Sequence, residues 1–175
     1  LDLIKYWDLS NNNIFAIRSF FGLAIPYGNS KSVPFSRSFF GGGSNDNRGW
    51  DAYSLGPGSS NGVNEFNEAN MKIALNAELR YTFFGDLKGA LFIDAGNIWN
   101  VFDNEENPTY RFDSLKDLNE LSIGSGIGFR YDFSFFILRF DIGFKTYEPY
   151  LENKKWLKNY NFKNAVYNFG INYPF

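Results

Sequence analysis

From Met71 to Phe83 the chain alternates without a break. Met71, Ile73, Leu75, Ala77, Leu79, Tyr81 and Phe83 fall on one side of an extended segment, and Lys72, Ala74, Asn76, Glu78, Arg80 and Thr82 on the other. A period of two this regular marks a strand lying between an apolar and a polar medium. The pattern recurs. Ile123, Ile127, Phe129 and Tyr131 alternate with Ser122, Gly124, Gly126, Gly128 and Arg130. Phe136, Leu138, Phe140, Ile142 and Phe144 alternate with Arg139, Asp141 and Lys145. In the last segment Ala165, Tyr167, Phe169, Ile171, Tyr173 and Phe175 share a face opposite Val166, Asn168, Gly170 and Asn172. A soluble fold would cover the apolar faces with a second layer, and no amphipathic helical segment is present to form one. Charges on the opposite face suit the wet interior of a transmembrane barrel, whose strands need about 9–11 residues each.

The connections agree. Short links at Ser10-Asn11-Asn12, Gly85-Asp86 and Phe133-Ser134 alternate with long ones over 28–70, 101–120 and 146–163. Short turns at one end and long loops at the other are the layout of outer-membrane barrels, whereas long structureless loops fit poorly inside a compact soluble domain. The expectation is an all-β chain with about seven strands. A bacterial barrel closes with an even number of strands, at least eight, and lipid tolerates no open edge. The remaining strands are therefore expected upstream of a chain that starts at Leu1 with a strand already under way.

Composition narrows the chemistry. Phe, Tyr and Trp make up 21% of the 175 residues, as rings of aromatics at two membrane interfaces require. The 17 basic and 19 acidic residues form no basic cluster, so nucleic acid is not an expected partner. There is no Cys and no His, which removes disulfides, thiolate sites, His-ligated zinc and His-based catalytic triads. No cofactor, metal or catalytic residue is expected. The acidic run Asp103-Asn104-Glu105-Glu106-Asn107 lacks the ligand spacing of a calcium loop and reads as a solvated loop.

The stretch Phe39-Phe40-Gly41-Gly42-Gly43-Ser44-Asn45-Asp46-Asn47-Arg48-Gly49-Trp50 is rich in glycine, yet no Gly-Lys-Ser/Thr closes it and no helix follows it. Phosphate binding in the usual manner is thereby excluded. Glu78 lies on the polar face of its strand, and Asp94 needs a partner or water within an apolar stretch. A guanidinium could bridge two such carboxylates. On these residues alone, Arg48 could equally be a solvated loop charge, with both acids lining a wet interior.

Five motifs in order resemble the BamA/TamA superfamily of outer-membrane assembly factors, the bacterial surface antigen barrels. They are Pro34-Phe35 through Phe39-Phe40-Gly41-Gly42, Arg48-Gly49-Trp50, Asn76-Ala77-Glu78-Leu79-Arg80, Phe92-Ile93-Asp94-Ala95-Gly96-Asn97, and the tail Asn168-Phe169-Gly170-Ile171-Asn172-Tyr173-Pro174-Phe175. The resemblance spans residues 1–175 as the C-terminal portion of a sixteen-stranded barrel in a Gram-negative outer membrane. Leu55-Gly56-Pro57-Gly58, the stretch Lys88 to Trp99 and the Tyr-Pro-Phe ending are most similar to the TamL branch of Bacteroidota.

The resemblance implies that the long loop, residues 29–70, folds back into the barrel and sets Arg48, Gly49 and Trp50 as a lock against Glu78 and Asp94. Trp50 stands where the family more often has a smaller aromatic. It further implies that Asn168, Gly170, Tyr173 and Phe175 carry an outer-membrane targeting signal beside a weakly paired seam that accepts a client strand. A glycine within a strand permits a kink or local weakness, though Gly170 could equally just make room. The implied partners are outer-membrane lipids, unfolded β-barrel clients and a periplasmic TamB-like or Bam-type protein. A polypeptide secretion pore or passive channel on the same barrel is the alternative.

Overall fold

The computed structural model describes residues 1–62, 67–102 and 105–175. Seven strands follow one another: β1 (Asp2–Ser10), β2 (Asn13–Leu23), β3 (Met71–Phe84), β4 (Leu87–Trp99), β5 (Ser122–Asp132), β6 (Ile137–Tyr147) and β7 (Val166–Ile171). They form one sheet in sequence order, each strand antiparallel to the next. Among the described residues the only helical pieces are three short 3-10 turns, at Phe35–Arg37, Pro108–Tyr110 and Leu115–Glu120.

The alternation read from the sequence becomes two unlike faces. Leu75, Leu91, Ile93, Ile127, Phe129, Leu138, Tyr167 and Phe169 are exposed on the convex side. A sheet with this much apolar surface outward requires lipid rather than water around it. At the short-turn end Tyr131, Phe133, Phe135 and Phe136 form a run of ring contacts 4.7–4.9 Å apart. Such clusters occupy the boundary between hydrocarbon and headgroups. Inward positions are instead buried and polar, among them Asn76, Glu78, Arg80, Asp94, Arg130, Arg139 and Asp141.

The end of the chain departs from the expected pattern. β7 stops at Ile171, and Asn172 has φ of 66°, donating its backbone N–H to Ile137 O at 2.7 Å. This left-handed residue turns the chain off the ladder, so Tyr173 and Phe175 do not continue on the outer face of β7. They meet the inward-pointing Arg80 instead. Its guanidinium lies 4.1 Å from the Tyr173 ring centre and 5.5 Å from that of Phe175, and it donates to Phe175 O at 2.9 Å. Cation–ring attraction and a charged hydrogen bond stabilise the inward course.

Candidate functional site

The loop between β2 and β3 enters the concave side of the sheet. Turns hold its tip: Gly43 donates to Trp50 O at 2.8 Å, Trp50 to Asn47 O at 3.2 Å, and Gly42 N–H to the Asp46 carboxylate at 2.7 Å. These turns project Arg48 away from the loop, and its side chain has no exposure.

Arg48 meets Asp94 with two parallel bonds, Nε to Oδ2 at 2.8 Å and Nη2 to Oδ1 at 2.9 Å, and its backbone N–H adds a third at 3.1 Å. Its Nη1 donates to Glu78 Oε2 at 2.5 Å and lies 3.6 Å from Asp141 Oδ2. The guanidinium plane also sits 3.5 Å from the centre of the Phe92 ring. This two-pronged geometry is specific to guanidinium; an ammonium in its place would make point contacts only.

The acids are shared with further cations. Arg130 bonds Asp141 at 2.6 Å and Glu78 at 3.2 Å, and Arg80 bonds Glu78 Oε1 at 2.9 Å. Arg139 approaches Asp141 at 3.6 Å and donates to Asn45 of the loop at 2.6 Å. Neutral groups complete the set. Asn76 donates to Asp94 at 2.9 Å and to Asp46 O at 2.7 Å, Asn168 donates to Arg48 O at 3.0 Å, and Asn47 donates to Ser122 O at 3.0 Å. Removing such charges from water is costly, so deleting one charged partner leaves the others buried without full compensation.

Space for the loop comes from absent side chains on β5 and β6. A Cβ at Gly143 would stand 2.0 Å from Arg48 O, and one at Gly124 would stand 2.4 Å from Asn47 Oδ1. Gly49 fits between them, its own Cβ position 3.0 Å from Phe144 O. The loop backbone therefore lies directly on the strand backbones.

The structure brings Arg48, Gly49, Glu78 and Asp94 together, with Trp50 buried beside them and Lys145 Nζ 5.6 Å from its ring centre. Asn168 reaches the same place. Gly170 pairs with Arg139 in the β6–β7 ladder, and the Cβ it lacks would fall 2.5 Å from that guanidinium. Tyr173 and Phe175 stand apart from Arg48 and connect to the cluster through Arg80. Sequence reasoning placed Arg80, Arg130, Arg139 and Asp141 on inward faces but gave them no part in the site, and it gave none to Phe92, Gly124 or Gly143. Asp103 and Asn104 of the acidic run lie outside the described residues; Glu105 accepts from Asn107 N–H at 2.9 Å.

Fold and site together define a piece of an outer-membrane β-barrel with one of its own loops packed on the inner face of its strands. A family model described as the Omp85 superfamily domain matches residues 1–175, and the chain belongs to that superfamily. It is 32% identical, over 96 residues, to the outer membrane protein assembly factor BamA of Neisseria meningitidis serogroup B; the match covers 49% of this chain and 12% of that protein. The crystal structure of BamA from Haemophilus ducreyi lacking POTRA domains 1–3 superposes with a TM-score of 0.67 at 16% identity, over 97% of this chain and 33% of that one. The chain thus spans a minor part of the length of both relatives.

Proposed function

We propose that this chain is part of a factor that inserts and assembles proteins in the Gram-negative outer membrane. The observation that carries the reading is the inward loop: the segment bearing Arg48 packs on the inner face of the sheet through buried ion pairs to Asp94 and Glu78. A passive channel needs an open aqueous path there. In this reading Arg48, Gly49 and Trp50 with Glu78 and Asp94 lock the loop and hold the barrel's shape. The tail with Asn168, Gly170, Tyr173 and Phe175 belongs to a weakly paired seam. The short β7, six residues against eleven in β6, fits an edge that yields to an incoming strand by β-augmentation. No catalytic residue is assigned. The partners are outer-membrane lipids, unfolded β-barrel clients and a periplasmic TamB-like or Bam-type protein, with a translocation-and-assembly role of the TamL kind as the finer assignment.

Depleting the full-length protein and quantifying the outer-membrane proteome tests the reading. Several unrelated barrel proteins should fall together. Steady levels of the other barrels, with loss of one secreted protein or one solute flux, would replace it with the secretion pore or channel.

A further inference from the structure

The loop between β6 and β7 turns the other way. Phe144 faces outward by strand parity, yet it is only 7% exposed. Tyr160 stacks on it at 4.7 Å and Phe162 meets it edge-on at 5.3 Å. The same segment is tied down by Tyr167 donating to Phe162 O at 3.1 Å and by the Ser125 hydroxyl donating to the Tyr160 hydroxyl at 3.4 Å. The Tyr160 and Phe162 rings therefore lie over the bilayer-facing side of the sheet. Upstream, Leu157 N–H bonds Thr146 O at 2.8 Å, Glu148 N–H bonds Lys155 O at 3.0 Å, and Trp156 packs on Tyr147 at 4.8 Å.

This loop is a built structure. Glu148 has no exposure and accepts both oxygens' worth of bonds from Asn159 at 3.0 and 2.9 Å, together with the Tyr150 hydroxyl. With that carboxylate consumed inside, Lys154, Lys155 and Lys158 line one depression with Tyr147, Trp156 and Leu157. None of the three lysines takes part in an ion pair among the described residues. Residues 148–163 hold four Lys, at 154, 155, 158 and 163, against Glu148 and Glu152, so the segment is net +2 in a chain of net −2. Trp156, Leu157 and Phe162 stand 58–67% exposed next to these charges.

We infer that this shelf binds the phosphorylated headgroup of an anionic outer-leaflet lipid, with Lys154, Lys155 and Lys158 on the phosphate and Trp156, Leu157 and Phe162 against the upper acyl chains. Long loops of outer-membrane barrels face the cell exterior, and basic residues beside amphipathic rings at a membrane surface attract anionic headgroups while the rings sit at the interface. The inference rests on the outer-membrane placement of the barrel and is independent of any assembly role.

The test uses full-length protein in nanodiscs of phosphatidylcholine doped with either bis-phosphorylated lipid A or its dephosphorylated form, reading the lipid retained around the protein. Wild type should enrich the phosphorylated form. The K154Q/K155Q/K158Q variant should lose roughly 100-fold in that preference, at about fivefold per lysine, and the K154R/K155R/K158R variant should keep it. Heat-modifiable migration confirms that each variant is folded, the three lysines being surface groups outside the ladder. Equal retention of both lipids by wild type, or an unchanged preference in the Gln variant, overturns the inference. So does displacement of the lipid by millimolar inorganic phosphate, which would make the ligand a free anion.

Discussion

The loops that join β2 to β3 and β6 to β7 leave the same end of the sheet and go to opposite solvents. The first turns inward and buries Arg48 among three carboxylates, with glycines at 124 and 143 letting backbone lie on backbone. The second turns outward, spends its buried carboxylate Glu148 on its own Asn159 and Tyr150, and leaves its lysines in the open. Each loop is organised around a buried acid–donor cluster, but only the first draws its acids from the strands. The difference sets the range of each loop: the inward one is coupled to β3, β4, β6 and β7, whereas the outward one is stapled mainly to itself.

Substitutions should separate the two. Arg48→Ala leaves Glu78, Asp94 and Asp141 short of a cation and should cost about 3–5 kcal/mol of barrel stability, read as the urea midpoint of the heat-modifiable band. Protease should then cut within 39–50. Gly143→Ala should release the same loop with every charge retained, because its Cβ would displace Arg48 O. A protected loop in that variant would break the close-packing account. Glu148→Ala should cost about 1.5–3 kcal/mol from lost charged hydrogen bonds. That loss should stay local, with faster hydrogen exchange over 148–163 and unchanged protection over 39–50. A global loss of stability would erase the contrast between the loops.

Asn168→Ala removes one neutral donor to Arg48 O and should cost about 1 kcal/mol, visible as faster exchange at Arg48 and Gly49 alone. The smallest effect concerns pH. Burial, with the Glu148 carboxylate beside it, pushes the Tyr150 phenol above its ordinary value. A raised pKa favours the neutral hydroxyl in the folded loop, so this anchor is fully present below about pH 10 and is lost as pH rises beyond it. Hydrogen exchange over 148–163 should quicken in strong alkali in wild type, and a Tyr150→Phe variant should lack that step.

Much of this was legible in the sequence because a strand's face is a matter of parity. Once Met71 to Phe83 alternates, Glu78 must point inward, and the same rule places Arg130, Arg139 and Asp141 on the inner side. Parity does not give height. That Glu78 stands opposite Phe92, Asp94 opposite Gly124 and Asp141 opposite Gly128 follows from the register between neighbouring strands, which alternation within a single strand does not fix. The contribution of Phe92 was hidden for a related reason, since an aromatic on an inner face has no use until a guanidinium is known to lie on it. The tail misled because its alternation continues through Tyr173 and Phe175, while one residue, Asn172 at φ 66°, ends the strand. The outward loop gave no periodic signal; its course depends on Tyr160 and Phe162 finding Phe144.

The central claim is that the inward loop is held by an energetic coupling between Arg48 and the carboxylates of the sheet. A double-mutant cycle in the full-length protein measures it: Arg48→Ala, Asp94→Ala and the pair together, each read by urea unfolding and by protease cutting in 39–50. The account predicts that the double variant loses much less than the sum of the singles, with a coupling of about 1–3 kcal/mol, and that all three release the loop. Losses that add to within about 0.5 kcal/mol, with the loop still protected in Arg48→Ala, would contradict it.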